Sequence, residues 1–87
     1  MAYAVQFTRS ADKDLERIAP PERNRIIRKI AELARAPRPM GVKKLAGADD
    51  LYRLRAGNYR VIYQVEDRIV TVTVVRIGHR REVYRGL

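Results

Sequence analysis

The dipeptide Gly57-Asn58 separates two runs of alternating character, Leu51–Ala56 and Tyr59–Val65, and it constrains the fold more than any other feature of the chain. Gly-Asn forms a two-residue hairpin loop, because the tight turns that match strand twist require positive φ at one or both central positions, which glycine adopts freely. With that loop, Ala56 faces Tyr59, Arg55 faces Arg60, Leu54 faces Val61 and Arg53 faces Ile62. Side chains alternate across a strand, so Tyr52 and Leu54 project from one face while Arg53 and Arg55 project from the other. Arg60 joins the two arginines. Like charges directly opposite one another destabilise a sheet, so the arrangement suits a face that receives an anion. It equally suits a solvated sheet face in a chain rich in arginine.

A third strand pattern, Ile69–Ile77, follows Glu66-Asp67-Arg68 and completes a β-rich second half. The first half reads differently. Tyr3, Val5 and Phe7 alternate with Ala4, Gln6 and Thr8, which predicts a strand over about residues 3–8. Ser10 can cap a helix whose apolar stripe is Ala11, Leu15 and Ile18, with Asp12 and Asp14 near its positive end. Ala19-Pro20-Pro21 interrupts that helix, and a proline at a first helical position starts another over about residues 21–36. Its apolar face is Ile26, Ile27, Ile30, Leu33 and Ala34. Pro37-Arg38-Pro39 ends it, and Lys43-Lys44-Leu45 is a candidate short strand in the long connection that follows. The order β-α-α-β-β-β segregates helices from strands. The predicted class is therefore α+β, with an N-terminal helical hairpin packed on a twisted, largely antiparallel sheet.

A length of 87 residues fits one domain spanning 1–87. With no cysteine there is no disulfide scaffold, thiol nucleophile or Cys-ligated zinc, and one histidine without an H-E-x-x-H motif leaves no familiar metal constellation. Neither a metal nor any other cofactor is expected. The longest apolar runs, such as Val70 to Val75, hold six residues, far short of a membrane span, and nothing at the N-terminus reads as a signal segment. The expectation is a cytoplasmic protein with no membrane partner. A net charge of +9 makes a polyanion the first partner to consider.

The segment G-A-D-D-L-Y-R-L-R-A-G-N-Y-R-V-I-Y, Gly47 to Tyr63, resembles the central hairpin of the RelE/ParE toxin superfamily. So does V-R-I-G-H-R-R-E-V-Y-R, Val75 to Arg85, and P-R-P-M-G-V-K-K-L-A-G, Pro37 to Gly47, is similar to the family's helix-to-strand connection. With the first strand and helical hairpin, the likeness covers essentially the whole chain. It implies a toxin of a type II toxin–antitoxin pair. In the RelE branch such a toxin enters the ribosomal A site and cuts mRNA; in the ParE branch it poisons DNA gyrase. A third possibility is a degenerate member acting only as antitoxin partner or co-repressor. The resemblance implies site residues Arg53, Arg55, Arg60, Arg80 and Tyr84. It also implies a RelB-like antitoxin that covers the basic face, with operator DNA met only through that antitoxin. Some relatives carry an extra C-terminal helix, for which this chain leaves only three residues after Tyr84.

RNA cleavage by its own 2′-hydroxyl needs a base for that proton, positive charge for the pentavalent phosphorane, and an acid for the leaving 5′-oxygen. Arginine suits the second task and not the first, since its guanidinium stays protonated. Some relatives have lysines where this chain has Arg53 and Arg55, and a desolvated lysine can serve as a base. Here the base is left to His79, the one residue type that ordinarily titrates near neutrality, or to Tyr84. The Gly78–Arg85 segment, with Arg81 in it, reads either as a phosphate- and base-contacting edge or as a solvated tail. Arg25, Arg28, Lys29 and Arg35 on the second helix, with Lys43 and Lys44, are candidate ribosomal-RNA contacts. Taken singly, each equally reads as solvation of an amphipathic helix. Residues 1–44 carry 11 basic and 5 acidic side chains against 8 and 5 in residues 45–87, so the larger surplus lies in the helical half.

Overall fold

The computed structural model describes residues 2–45 and 50–79. In chain order these form β1 (Ala4–Phe7), α1 (Arg9–Glu16), α2 (Pro20–Glu32), β2 (Lys43–Lys44), β3 (Leu51–Ala56), β4 (Tyr59–Glu66) and β5 (Thr71–His79), with a 3-10 turn at Asp67–Ile69. The five strands make one sheet in the order β1-β5-β4-β3-β2. β1 runs parallel to β5, and the other neighbours are antiparallel. This is the α+β class read from the sequence.

Both helices lie on one face of the sheet. Ala11 and Ile18 from the α1 region and Ile26, Ile30 and Leu33 from the α2 region meet Leu54, Ala56, Val61, Tyr63, Val65, Val72, Val74 and Ile77 in the core. Burying a side chain such as Ile26 or Ile30 contributes roughly 1.5–3 kcal/mol each. Ile27, expected on that face, sits at its margin and is 42% exposed. Among the described residues no helix covers the opposite face of the sheet.

Three boundaries differ from the sequence reading, each for a local reason. Thr8, not Ser10, caps α1: its backbone is extended, and its Oγ1 accepts from the Ala11 N–H at 3.1 Å while donating to the Val75 carbonyl at 2.8 Å. One hydroxyl thus starts the helix and fastens it to β5. The second helix ends at Glu32 rather than near residue 36, and its last turn loosens through residue 35 ahead of Pro37. The final strand begins at Thr71 because Asp67–Ile69 form a 3-10 turn and Val70 adopts left-handed φ of 49°. A β-branched residue in that region is strained by about 1–2 kcal/mol. The strain is held by two bonds, from Val70 N–H to Asp67 O and from Ala4 N–H to Val70 O.

Candidate active site

The hairpin register is the one read from the Gly57-Asn58 turn: Arg53 faces Ile62, Arg55 faces Arg60, Leu54 faces Val61 and Ala56 faces Tyr59. Adding the flanking strands produces two rows across the helix-free face. The first is Lys43, Arg53, Ile62 and Arg76; the second is Arg55, Arg60 and Gly78. Neither row contains an acidic residue. At the centre of the first row Ile62 is fully buried yet stands outside the helix-side core.

Backbone bonding sets the second row's two residues closer than register alone implies. Val65 N–H donates to Asp50 O across the β3–β4 pair, whereas the carbonyls of Leu51 and Arg55 accept from outside it, from Leu45 N–H and from the Lys29 ammonium. Hydrogen-bonded and non-hydrogen-bonded pairs alternate along an antiparallel ladder. Arg53/Ile62 and Arg55/Arg60 are therefore the non-bonded kind, in which Cα atoms approach to about 4.5 Å and side chains are nearest. The Arg60 guanidinium also turns onto its own hairpin, donating to the Gly57 and Tyr59 carbonyls at 3.1 and 3.0 Å. Gly57 occupies left-handed φ of 62° there, as the turn requires.

A bulge in β5 decides what else reaches this face. Ile62 pairs with Arg76 but Tyr63 pairs with Val74, so Val75 is the extra residue. Unbroken alternation from Val72 and Val74 would send Arg76 into the core and His79 to the arginine side. The bulge reverses both. Ile77 becomes the core residue, Arg76 enters the first row, and His79 pairs with Tyr59 on the helix side, their rings 6.0 Å apart at 78°. His79 therefore lies across the sheet from Arg60. The Arg76 guanidinium reaches past the β5 edge to Asp14 on α1 (Nε to Oδ2, 2.9 Å), and the same oxygen accepts from Ile77 N–H at 2.9 Å. Asp14, expected as a helix-end charge, is instead the clasp between α1 and β5. Neither it nor Arg76 was found from the sequence, which carries no sign of the bulge.

The other expected contacts divide. Lys43 and Lys44 are neighbours on a strand and point to opposite sides: Lys43 pairs with Arg53 in the first row, Lys44 with Tyr52 on the helix side. Arg25, Arg28, Lys29 and Arg35 are exposed on or just after α2, on the far side of the sheet from the rows. Two of them reach the sheet's edge: Lys29 bonds the Arg55 carbonyl at 3.1 Å, and the Arg25 guanidinium lies beside Gly57 in the hairpin turn. Arg80, Arg81 and Tyr84 lie outside the described residues. Among the described residues no cluster of His, Asp or Glu side chains is able to hold a metal, and no helix is long and apolar enough to cross a membrane.

At the other end of the sheet the arginine chemistry is different. Arg38 forms a two-point bond to Asp67 (2.9 and 3.2 Å), donates Nε–H to the Tyr52 hydroxyl at 2.8 Å and lies over that ring. Tyr52 stacks on Tyr63, whose hydroxyl donates to Pro37 O. Tyr3 donates to Asp67 as well. The Arg38 guanidinium, and then the Tyr3 hydroxyl, hold the Asp67 carboxyl below its ordinary pKa. The bond to Asp67 in turn raises Tyr3, and burial, then the neighbouring Tyr52, raises Tyr63. This network pins the segment after α2 to the sheet.

Residues 5–84 match the family described as ParE toxin of type II toxin-antitoxin system, parDE. The chain belongs to this family. Within the superfamily it is similar to Toxin RelG of Mycobacterium tuberculosis, 34% identical with 98% of this chain and 99% of the relative covered. It is also similar to mRNA interferase toxin RelE of Escherichia coli, 36% identical with 97% and 92% covered. Among solved structures, RelE in the archaeal RelE–RelB complex of Pyrococcus horikoshii superposes with a TM-score of 0.82 at 30% identity, covering 95% of this chain and 100% of that one. The E. coli RelBE toxin–antitoxin complex gives 0.78 at 34% identity, covering 90% and 96%. The RelE-like toxin fold expected from the hairpin and tail motifs is thus the fold found.

Proposed function

We propose that this chain is a cytoplasmic type II toxin that cuts mRNA in the ribosomal A site, by attack of a ribose 2′-hydroxyl on the adjacent phosphorus. The observation that carries the reading is the pair of basic rows, above all the narrow Arg55–Arg60 pair, on a sheet face that no described helix covers. The new bond joins the 2′-oxygen to phosphorus, and the bond to the 5′-oxygen breaks, leaving a 2′,3′-cyclic phosphate and a 5′-hydroxyl. Arg60 and Arg80 stabilise the phosphorane charge, while Arg53 and Arg55 position the phosphate. Tyr84 stacks on a neighbouring base or serves in proton transfer. His79 is the weaker acid–base candidate, because its register turns it away from Arg60 and it would have to act around the β5 edge.

With no matched acid–base pair among the described residues of these rows, much of the rate must come from orientation, which the ribosome supplies by fixing the codon. Arg25, Arg28, Lys29, Arg35, Lys43, Lys44 and Arg81 are assigned to ribosomal RNA. The RelE-named relatives and their RelB complexes support a RelB-like antitoxin as the partner covering the basic rows. Operator DNA is then met only through that antitoxin.

The test is a translating extract supplied with purified protein, with mRNA 5′ ends mapped by primer extension. Codon-registered cuts that disappear with Arg60→Ala, Arg80→Ala or Tyr84→Phe are expected. Replacing His79 with Gln tests its part separately: unchanged single-turnover cleavage removes it from the mechanism. A second reading, inhibition of DNA gyrase, is favoured by the ParE name of the matching family. It predicts trapped gyrase–DNA cleavage complexes and no mRNA cuts, which would sink the first.

A further inference from the structure

Where β5 runs past the end of β1, a cleft of about 240 Å³ opens between the end of α1 and the last residues of β5. β1 is paired only as far as Phe7 with Val74; beyond it, among the described residues, the β5 edge is met by Thr8 at the Val75 carbonyl and by Asp14 at the Ile77 N–H. The cleft is walled by Ile18, Tyr59 and His79 and carries Arg17 and Arg76 at its rim. Its charge is not balanced. Asp14 is committed, with one oxygen taken by Arg76 Nε and the Ile77 N–H and the other by Arg76 Nη2. Among the described residues Arg17 has no carboxylate partner. Among the described lining residues, one positive charge remains beside an aromatic wall.

The position of the cleft matters more than its contents. Gly78 belongs both to the Arg55–Arg60 row and to the cleft lining. It offers no side chain between the two, and Arg60 and Gly78 are one strand spacing apart, about 4.8 Å. The cleft lies on the helix side and the row on the other, so an RNA strand whose phosphate rests on Arg55 and Arg60 reaches the cleft by passing over Gly78 and around the β5 edge. A volume below the ~300–1,000 Å³ of drug-sized sites suits a single base. Aromatic rings with a cation beside them are the groups that take an unstacked base and its phosphate.

We propose that this cleft is a nucleotide subsite: Tyr59 and His79 receive the base adjoining the phosphate held by Arg55 and Arg60, and Arg17 binds that nucleotide's outer phosphate. The inference rests on the RNA-binding reading of the arginine rows and assigns the neighbouring residues a role in recognition. It also gives His79 work on the helix side of the sheet, where the bulge has put it.

The probe is a fluorescein-labelled trinucleotide, 2′-O-methylated so that it cannot be cut, with binding followed by anisotropy at low salt. Inorganic phosphate serves as competitor. Tyr59→Leu should weaken binding on the order of tenfold, as loss of one stacked base does, and Tyr59→Phe should restore it. Arg17→Glu, a change at an exposed residue, should weaken binding to a similar degree and Arg17→Lys less; circular dichroism checks each variant's fold. An abasic replacement at the base in the cleft should erase the difference between wild type and Tyr59→Leu. If Tyr59→Leu and Arg17→Glu bind as wild type while Arg60→Ala loses binding, the subsite is wrong and the arginine rows stand. Should Arg60→Ala bind normally too, the RNA reading of the rows fails with it. Phosphate alone displacing the trinucleotide completely, with the abasic probe binding undiminished, would reduce the cleft to an anion site and overturn base recognition.

Discussion

Two groups of arginines sit on one sheet and are treated in opposite ways. Arg38 and Arg76 each meet a carboxylate, Asp67 or Asp14, in planar charge-assisted bonds. Arg53, Arg55 and Arg60 occupy rows with no acidic residue, and Arg55 faces Arg60 in the closest kind of cross-strand pair. The first arrangement fastens elements together: Asp14 ties α1 to β5, and Asp67 ties the segment after α2 to the turn before β5. The second spends fold stability to keep charge concentrated on one face. Arginine is a clasp where it meets a carboxylate; where arginines face one another it makes the surface proposed to bind RNA. Arg76 stands at the border, in the first row by register and on Asp14 by its guanidinium.

That contrast is open to direct attack, and the largest effect is expected in the crowded group. Arg60→Ala should lower ribosome-dependent mRNA cleavage by about 10²–10³, as loss of one oxyanion-type donor does, while changing fold stability by less than about 1 kcal/mol. Single-turnover cleavage and urea unfolding read the two quantities. The clasp should behave the other way. Asp14→Ala leaves the Ile77 N–H and the Arg76 guanidinium without their acceptor, and about 2–3 kcal/mol of stability should go, visible as a lower urea midpoint. An unchanged midpoint would remove Asp14 from its place in the fold.

Smaller and more pointed is Arg55→Glu. It sets an opposite charge against Arg60, so stability should rise by about 0.2–1 kcal/mol as cleavage is lost. A destabilised Arg55→Glu protein would contradict the repulsion inferred from the ladder. The smallest effect is the pH dependence of the exposed Asp67 clasp. Its folded pKa is depressed, so its contribution is complete above the ordinary carboxylate value of about 3.9 and is lost as pH falls through the lower folded value. The urea midpoint of Asp67→Asn should trail wild type near neutrality and converge with it at the acid end.

How far the sequence revealed this is clearest on β4 and β5. On β3–β4 the Gly57-Asn58 turn sets the loop length, loop length sets register, and Arg53, Arg55 and Arg60 fall together from the residues alone. On β5 the same reasoning breaks at Val75, since one inserted residue inverts the facing of everything after it. Arg76 and His79 change sides without any local sequence signal: Val74-Val75-Arg76-Ile77 reads equally well as an unbroken strand. The cap failed for a related reason. Thr8 and Ser10 are equivalent capping residues on paper, and Thr8 prevails because it has a second bond to make on β5. Tertiary partners, not local preference, settled both cases.

The crowded Arg55–Arg60 pair has one more consequence. Repulsion present in the unliganded fold is relieved by any polyanion that settles on it, and a ligand that binds only the folded chain stabilises it by RT ln(1 + [L]/Kd). The melting temperature of this protein should therefore climb with the concentration of RNA or acidic peptide and relax again as salt displaces them. Thermal stability becomes a gauge of occupancy, readable without cleavage, ribosome or antitoxin in the tube.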